Sequence, residues 1–349
     1  MTERARSLPQ RVLERLAGVN MWLVVGAGFA LGFTVNHFDG PWWLAFLCYL
    51  GGGLLPILLS TVSSDEDGFE YEITNRERAV YLFGVLRWAF TPWGIFTQIL
   101  QLGGQGVAYV RYRGDLPSME RHTPETELRL PVGGEWKVVN GGVTPDTSHS
   151  WNIFSQRYAY DFLQTDDDGE THAGSRNKLE DYYAYGEPIV APADGTVVDV
   201  SDRRRDYPGV GTALVEWRTW DIAGNHVTIE HADGEYSFLA HLQAGSIAVS
   251  EGQEVAAGDV IGRCGNSGHS SEPHLHYQLQ DTPDFWTAAG LAPRFHGVDI
   301  ERDDWKAAER AVYADREGGD GVYLWAGDRV RQRRAGPVGS KKKDAHSWG

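Results

Sequence analysis

The chain has 349 residues, of which 42% are hydrophobic, enough for an ordinary domain with a real core plus substantial extra material. Its formal net charge of −16 argues against a nucleic-acid partner, because phosphate binding needs a basic footprint. The two cysteines, Cys48 and Cys264, exclude a disulfide framework and a thiolate zinc site, so any metal here is held by His and carboxylate.

The acidic balance reads as a solvated surface, with a salt-rich habitat as the sharper alternative, since salt screens self-repulsion. Its distribution is uneven. Apolar runs crowd the first third, and most Asp and Glu lie beyond residue 64. The run MWLVVGAGFALGFTVNH from Met21 and the run PWWLAFLCYLGGGLLPILLSTV from Pro41 each approach the ~20 apolar residues a bilayer core requires. They predict membrane spans at about 21–38 and 41–62. A secretory signal is the rival for the first run, but no A-x-A-like cleavage site follows it. Arg4, Arg6, Arg11 and Arg15 place the amino terminus inside. A third span is expected at 88–110, where Pro92, Gln98, Gln101 and Gln105 interrupt the apolar pattern and leave an interfacial amphipathic segment as the alternative. Residues 1–114 are thus expected to be an α-helical membrane region, and 115–135 a polar linker.

From Trp136 onward, short apolar or alternating runs (WKVVN, PIVAP, GTVVDV, ALVEW, HVTIEH, YSFLAHL, DVIGRC, HLHYQL) recur between Gly, Asn and Asp clusters. They predict an all-β soluble domain over 136–281, mainly antiparallel, in a barrel or sandwich. Residues 282–349 are expected to be an extension with one helix over Asp303–Asp315, a strand-like run GVYLWAG, and a frayed basic end at Lys341, Lys342 and Lys343.

The sharpest local feature is Pro273-His274-Leu275-His276-Tyr277-Gln278-Leu279. On a strand, alternate side chains share a face, so His274 and His276 project together and Leu275 points the other way. One imidazole can bind a metal while its neighbour handles a proton. His241 follows another strand-like run, and Asp161 sits among aromatic and small residues in QRYAYDF. A carboxylate in such a segment is costly to bury unless it is paired or bound to a cation, and zinc accepts both Asp oxygen and His nitrogen.

GEPIVAPADGTVVDV, then NHVTIEHADGEYSFLAHL, then VSEGQEVAAGDVIGRCGNSGHSSEPHLHYQLQD resemble the lysostaphin-type zinc endopeptidases in order, spacing and turn glycines. The resemblance covers roughly two-fifths of the chain. It implies a compact, mainly antiparallel fold with a groove over one sheet face. It also implies a Zn2+ cofactor held by Asp161 and His276, with His274 and His241 assisting catalysis. In that reading His274 takes a proton from water and His241 donates to the developing oxyanion. The expected substrate is a peptide, most often in peptidoglycan, or another cell-surface peptide where peptidoglycan is lacking.

There is one departure from the pattern. The family's first zinc histidine stands four residues before the aspartate, where this chain has Arg157, whose guanidinium offers no lone pair. His149 is expected to replace it, with His172 or no third histidine as alternatives. The enzyme reading is therefore set beside a non-catalytic scaffold of the same fold. A channel or transporter built on the apolar runs is disfavoured, because they carry no intramembrane acidic residue. The peptidase domain is expected outside the cell membrane, and nothing in the sequence fixes the oligomeric state. Of the remaining histidines, His231 is read as bonding in a turn, and His226 and His269 as lying near the cleft. The run Asp166-Asp167-Asp168-Gly169 lacks calcium-loop spacing and reads as a solvated loop.

Overall fold

A computed structural model describes residues 21–38, scattered positions between 40 and 48, and 75–333 apart from 149, 303–306 and 315–320. The helices are α1 (Met21–His37), α2 (Asn75–Ala89), α3 (Pro92–Arg111) and α4 (Ala307–Ala314). The strands in the first half of the β-rich region are β1 (Glu135–Asn140), β2 (Tyr160–Leu163), β3 (Pro188–Val190), β4 (Gly195–Ser201) and β5 (Asn225–Ala232). They are followed by β6 (Glu235–Leu242), β7 (Glu254–Val255), β8 (Val260–Arg263), β9 (Leu275–Gln280) and β10 (Gly290–Leu291). Near the end come β11 (Phe295–His296), β12 (Val298–Glu301), β13 (Gly321–Val322) and β14 (Arg329–Gln332).

One large antiparallel sheet runs β12-β14-β1-β2-β9-β6-β5-β4-β7, with β10 added to β9; β3 pairs with β8 and β11 with β13. The expected antiparallel β domain is present. Period-two patterning explains its two faces. Tyr160, Phe162, Leu239, Leu275, Tyr277 and Leu279 enter the main core, while Asp161, Ala240 and His276 stand on the opposite face. Burial on both sides of β6 and β9 removes their backbone from water and fixes their register, because a slip of one residue would turn every core side chain outward. Gly195, in the A-P-x-x-G-x-V turn, lies where β4 meets β5; a Cβ there would come within 2.3 Å of the Glu230 carbonyl oxygen.

The sheet does not stop at the expected boundaries. β12 and β14 extend it beyond 281, and Leu128, Leu130 and Val132, from the stretch expected to be a linker, are buried in the main core. Glu235 fastens that stretch by accepting from the Glu125 and Thr126 amides at 2.7 and 2.9 Å. The expected helix near the end is observed over Ala307–Ala314, and the basic tail lies outside the described residues.

Among the described residues no helix is long and apolar enough to cross a membrane. The expected span at 21–38 corresponds to the 17-residue α1, and most of 41–62 lies outside the described residues. The expectation at 88–110 is corrected. The chain breaks at Thr91, whose hydroxyl caps α3 by accepting from the Gly94 amide at 3.0 Å, with Pro92 opening the helix. α3 is then held along its whole length. Thr97 Oγ1 donates to the Trp220 carbonyl at 2.9 Å, Gln105 Oε1 accepts from the Phe154 amide at 3.2 Å, and Arg111 pairs with Asp281 at 2.6 Å. A helix fastened to a domain by both ends and its middle is not surrounded by lipid.

Candidate active site

The site forms where β2, β9 and β6 run side by side. Register places Asp161 opposite His276, and His276 opposite Ala240, so the next residue on β6, His241, stands at the same end. Asp161 and His276 are 7% and 8% exposed, and His276 Nδ1 lies 2.9 Å from Asp161 Oδ1. His274 Nε2 is 3.9 Å from the same oxygen. The His241 ring centroid is 4.7 Å from that of His274 and 5.9 Å from that of His276. Four of the five expected site residues are therefore together. The fifth, His149, lies outside the described residues; the connection that carries it leaves β1 at Asn140, whose side-chain amide donates to Asp161 Oδ2 at 3.1 Å.

Hydrogen bonds to carbonyls, which can only accept, fix the imidazole tautomers. His241 Nδ1 donates to the Ser267 carbonyl at 2.8 Å, and His274 Nδ1 donates to the Glu272 carbonyl at 2.8 Å. In the neutral form of each ring Nε2 carries the lone pair. Burial, reinforced by the neighbouring His274 and His276, holds His241 well below the ordinary histidine range. In this tautomer Nε2 is an acceptor, so the expected donor role of His241 requires that the ring first take a proton.

His276 is set by a ladder that sequence reasoning missed. Gln280 Nε2 donates to the Thr282 carbonyl at 2.8 Å, so its oxygen accepts from Gln278 Nε2, and Gln278 Oε1 faces His276 Nε2 at 3.0 Å. The ring proton consequently sits on Nε2, and Nδ1 turns its lone pair to Asp161. Two acceptors at 2.9 Å repel each other unless a proton or a cation lies between them. Burial alone would lower His276, but the hydrogen bond and charge of Asp161 outweigh it and raise the ring above its ordinary value. The donor chemistry, one imidazole nitrogen and one carboxylate oxygen in a buried pair, fits zinc. Among the described residues no group of three His, Cys, Asp or Glu is placed to hold a metal. The signal for the ladder was present in H-L-H-Y-Q-L-Q, whose alternate positions share a face.

His241 has φ +61, a left-handed conformation that few residues other than glycine adopt. The bend turns the chain out of β6 and aims the ring back at His274. One wall of the site is the 219–223 and 266–269 loops, against which α2 lies. Trp88 donates from Nε1 to the Thr219 carbonyl at 3.0 Å, and its ring centroid lies 4.5 Å from that of His269. Burial lowers His269 to about 4. On the same helix, desolvation and then the Asp161 charge raise the Tyr81 phenol.

Arg157 turns away from the pair, donating to the Trp151 carbonyl at 3.2 Å and stacking near the Trp151 and Phe154 rings. His172 lies beside Glu170 and Tyr182. His231 bonds the Asp194 carbonyl and the Ser237 hydroxyl, both at 2.8 Å, and His226 pairs with Asp199 at 2.9 Å. Asp166 Oδ1 accepts from the Asp168 and Glu170 amides, so that acidic loop is closed on itself.

Residues 177–285 match the model of Peptidase family M23. His241, His274 and His276 lie inside that match, and Asp161 and His149 precede it. The chain is similar to the peptidoglycan DD-endopeptidase ShyA of Vibrio cholerae, 37% identical over 90 residues, which are 26% of this chain and 20% of that protein. It is also similar to the DD-carboxypeptidase/endopeptidase Mpg of Neisseria meningitidis, 40% identical over 101 residues, 29% of this chain and 19% of that one. The chain thus spans about a fifth of the length of these relatives. Among solved structures, the catalytic domain of lysostaphin from Staphylococcus simulans aligns at 20% identity and a TM-score of 0.26, covering 45% of this chain and 88% of that one.

Proposed function

We infer that this chain, whose residues 177–285 match the model of Peptidase family M23, is a zinc metalloendopeptidase acting on peptidoglycan or another cell-surface peptide. The observation that carries this reading is the buried Asp161–His276 pair, flanked by two histidines tethered through Nδ1 to backbone carbonyls. Asp161, His276 and, as proposed from sequence, His149 would hold the zinc, which supplies Lewis acidity to the scissile carbonyl and acidifies the attacking water.

The chain's own groups do the rest. His274, tethered through Nδ1 and presenting Nε2 toward Asp161, accepts the proton of the attacking water. His274 then returns that proton to the departing amine, while His241, once protonated at Nε2 from solvent, donates to the developing oxyanion. The left-handed backbone at His241 holds its ring for that task, so little reorientation is needed during the reaction. No Ser or Cys nucleophile enters the scheme; burial pushes the Cys264 thiol far up.

The apolar amino-terminal runs would hold this domain at a cell membrane, on its outer side. The full chain, purified in detergent and reconstituted with zinc, should hold about one zinc and cleave cross-linked stem peptides or a surface peptide library. Less than ~0.2 zinc per chain with no cleavage would favour the non-catalytic scaffold.

A further inference from the structure

Helix α3 is inside out for a helix in water. The stretch 88–110 carries no Asp, Glu, Lys or Arg in a chain that is 23% charged. Its polar side chains face the protein: Thr97 and Gln105 are buried, and Gln98 and Gln101 are half-buried. Its outward positions are apolar. Ile95, Phe96, Ile99, Leu102, Val107 and Val110 are 41–74% exposed, and no Thr or Gln of the helix is among its exposed residues. A water-facing amphipathic helix has the opposite arrangement, and a contiguous apolar face of this size marks an interaction surface.

We propose that this face of α3 rests in the outer layer of a lipid bilayer, with the helix axis in the membrane plane and the cleft wall carried by α2 directly above it. The contacts from Thr97 to Arg111 keep the helix flat on the domain, which excludes a crossing but not partial immersion. Protein interfaces carry about one hydrogen bond per 100–200 Å2, whereas this face is almost wholly hydrocarbon. Trp93 and Tyr109, each about half exposed, are rings suited to the headgroup level, and Arg87 and Arg113 bound the stretch with charges that suit anionic lipid. The apolar runs before residue 63 lie on the same side of the sequence. The inference rests on the reading that the chain is held at a membrane, and adds a second, independent contact.

The test uses the full chain carrying Cys48→Ser and Ile99→Cys, spin-labelled and reconstituted into phosphatidylcholine–phosphatidylglycerol vesicles, with a Ser250→Cys label on an exposed turn as control. Electron paramagnetic resonance should find the position-99 label accessible to oxygen and shielded from a water-soluble nickel chelate, at a depth of roughly 5–10 Å. A label as accessible to the chelate as the control, on protein that floats with the vesicles, would overturn this inference and leave membrane anchoring standing. A label shielded from both reagents would mean that protein covers the face, and would also overturn it. Failure of the full chain to float would overturn both readings.

Discussion

The backbone carbonyl of Thr282 determines which ring nitrogen of His276 carries its proton. Gln280 and Gln278 transmit the constraint as a directional chain of amides, all on one face of β9 and all buried. Such supporting hydrogen bonds raise the basicity of a metal-ligating histidine and hold its orientation.

Replacing Gln278 by Leu should therefore weaken zinc binding by roughly 10–100-fold while the fold survives. Competition with a chelator of graded affinity measures this. Unchanged affinity would mean that the ladder serves packing alone.

Alanine at Asp161 or His276 should abolish both tight zinc retention and activity, because in the proposed site each would remove a metal bond. Changes at His274 and His241 should separate the two properties. His274→Ala and His241→Asn should keep zinc and lower turnover by roughly 100-fold or more. Asparagine is the choice at His241 because it tolerates φ +61 far better than a branched residue. Zinc content and single-turnover rates on the same preparations decide the matter.

His149→Ala should lose zinc as completely as Asp161→Ala if His149 is the third ligand. Arg157 cannot compensate, since it is committed to Trp151. Full occupancy and activity in His149→Ala would move the third bond to another group.

Glu235 makes a pH-dependent clamp. Its burial opposes ionisation, but His122, Thr126 and the Glu125 and Thr126 amides prevail and lower it from 4.5 to about 2. A carboxylate lowered in the folded state contributes stability above its unfolded pKa, and that contribution is lost as pH falls through the folded one. The contribution is of order 3 kcal/mol at neutral pH and should disappear between about pH 5 and pH 2. Thermal melts of the wild type and Glu235→Gln should converge across that window. Hydrogen exchange at residues 125–126 should rise in the variant at pH 7.

The strands and most of the site were legible because period-two patterning and the H-x-H spacing act locally. Asp161 announced itself by the cost of a carboxylate between Tyr160 and Phe162. The tautomers were not legible, since they depend on the Ser267, Glu272 and Thr282 carbonyls, which any residue type could supply. The docking of α3 was also hidden. Hydropathy counts apolar residues but not the side they face, and the face became clear only when Thr97 and Gln105 were seen bonded to the domain. The same blindness to distant pairing obscured the core role of Leu128 and Leu130, which bury beside strands far along the chain.

Asp161 and His276 are 115 positions apart, and β2, which carries Asp161, lies between β1 and β9, with β14 from near residue 330 completing β1 on its other side. A chain leaving the ribosome has therefore made almost all of itself before the two halves of the site can meet. A product truncated before His274 would lack that residue and His276, two of the four residues gathered at the site. The order of the strands along the gene thus delays completion of the site until most of the chain exists.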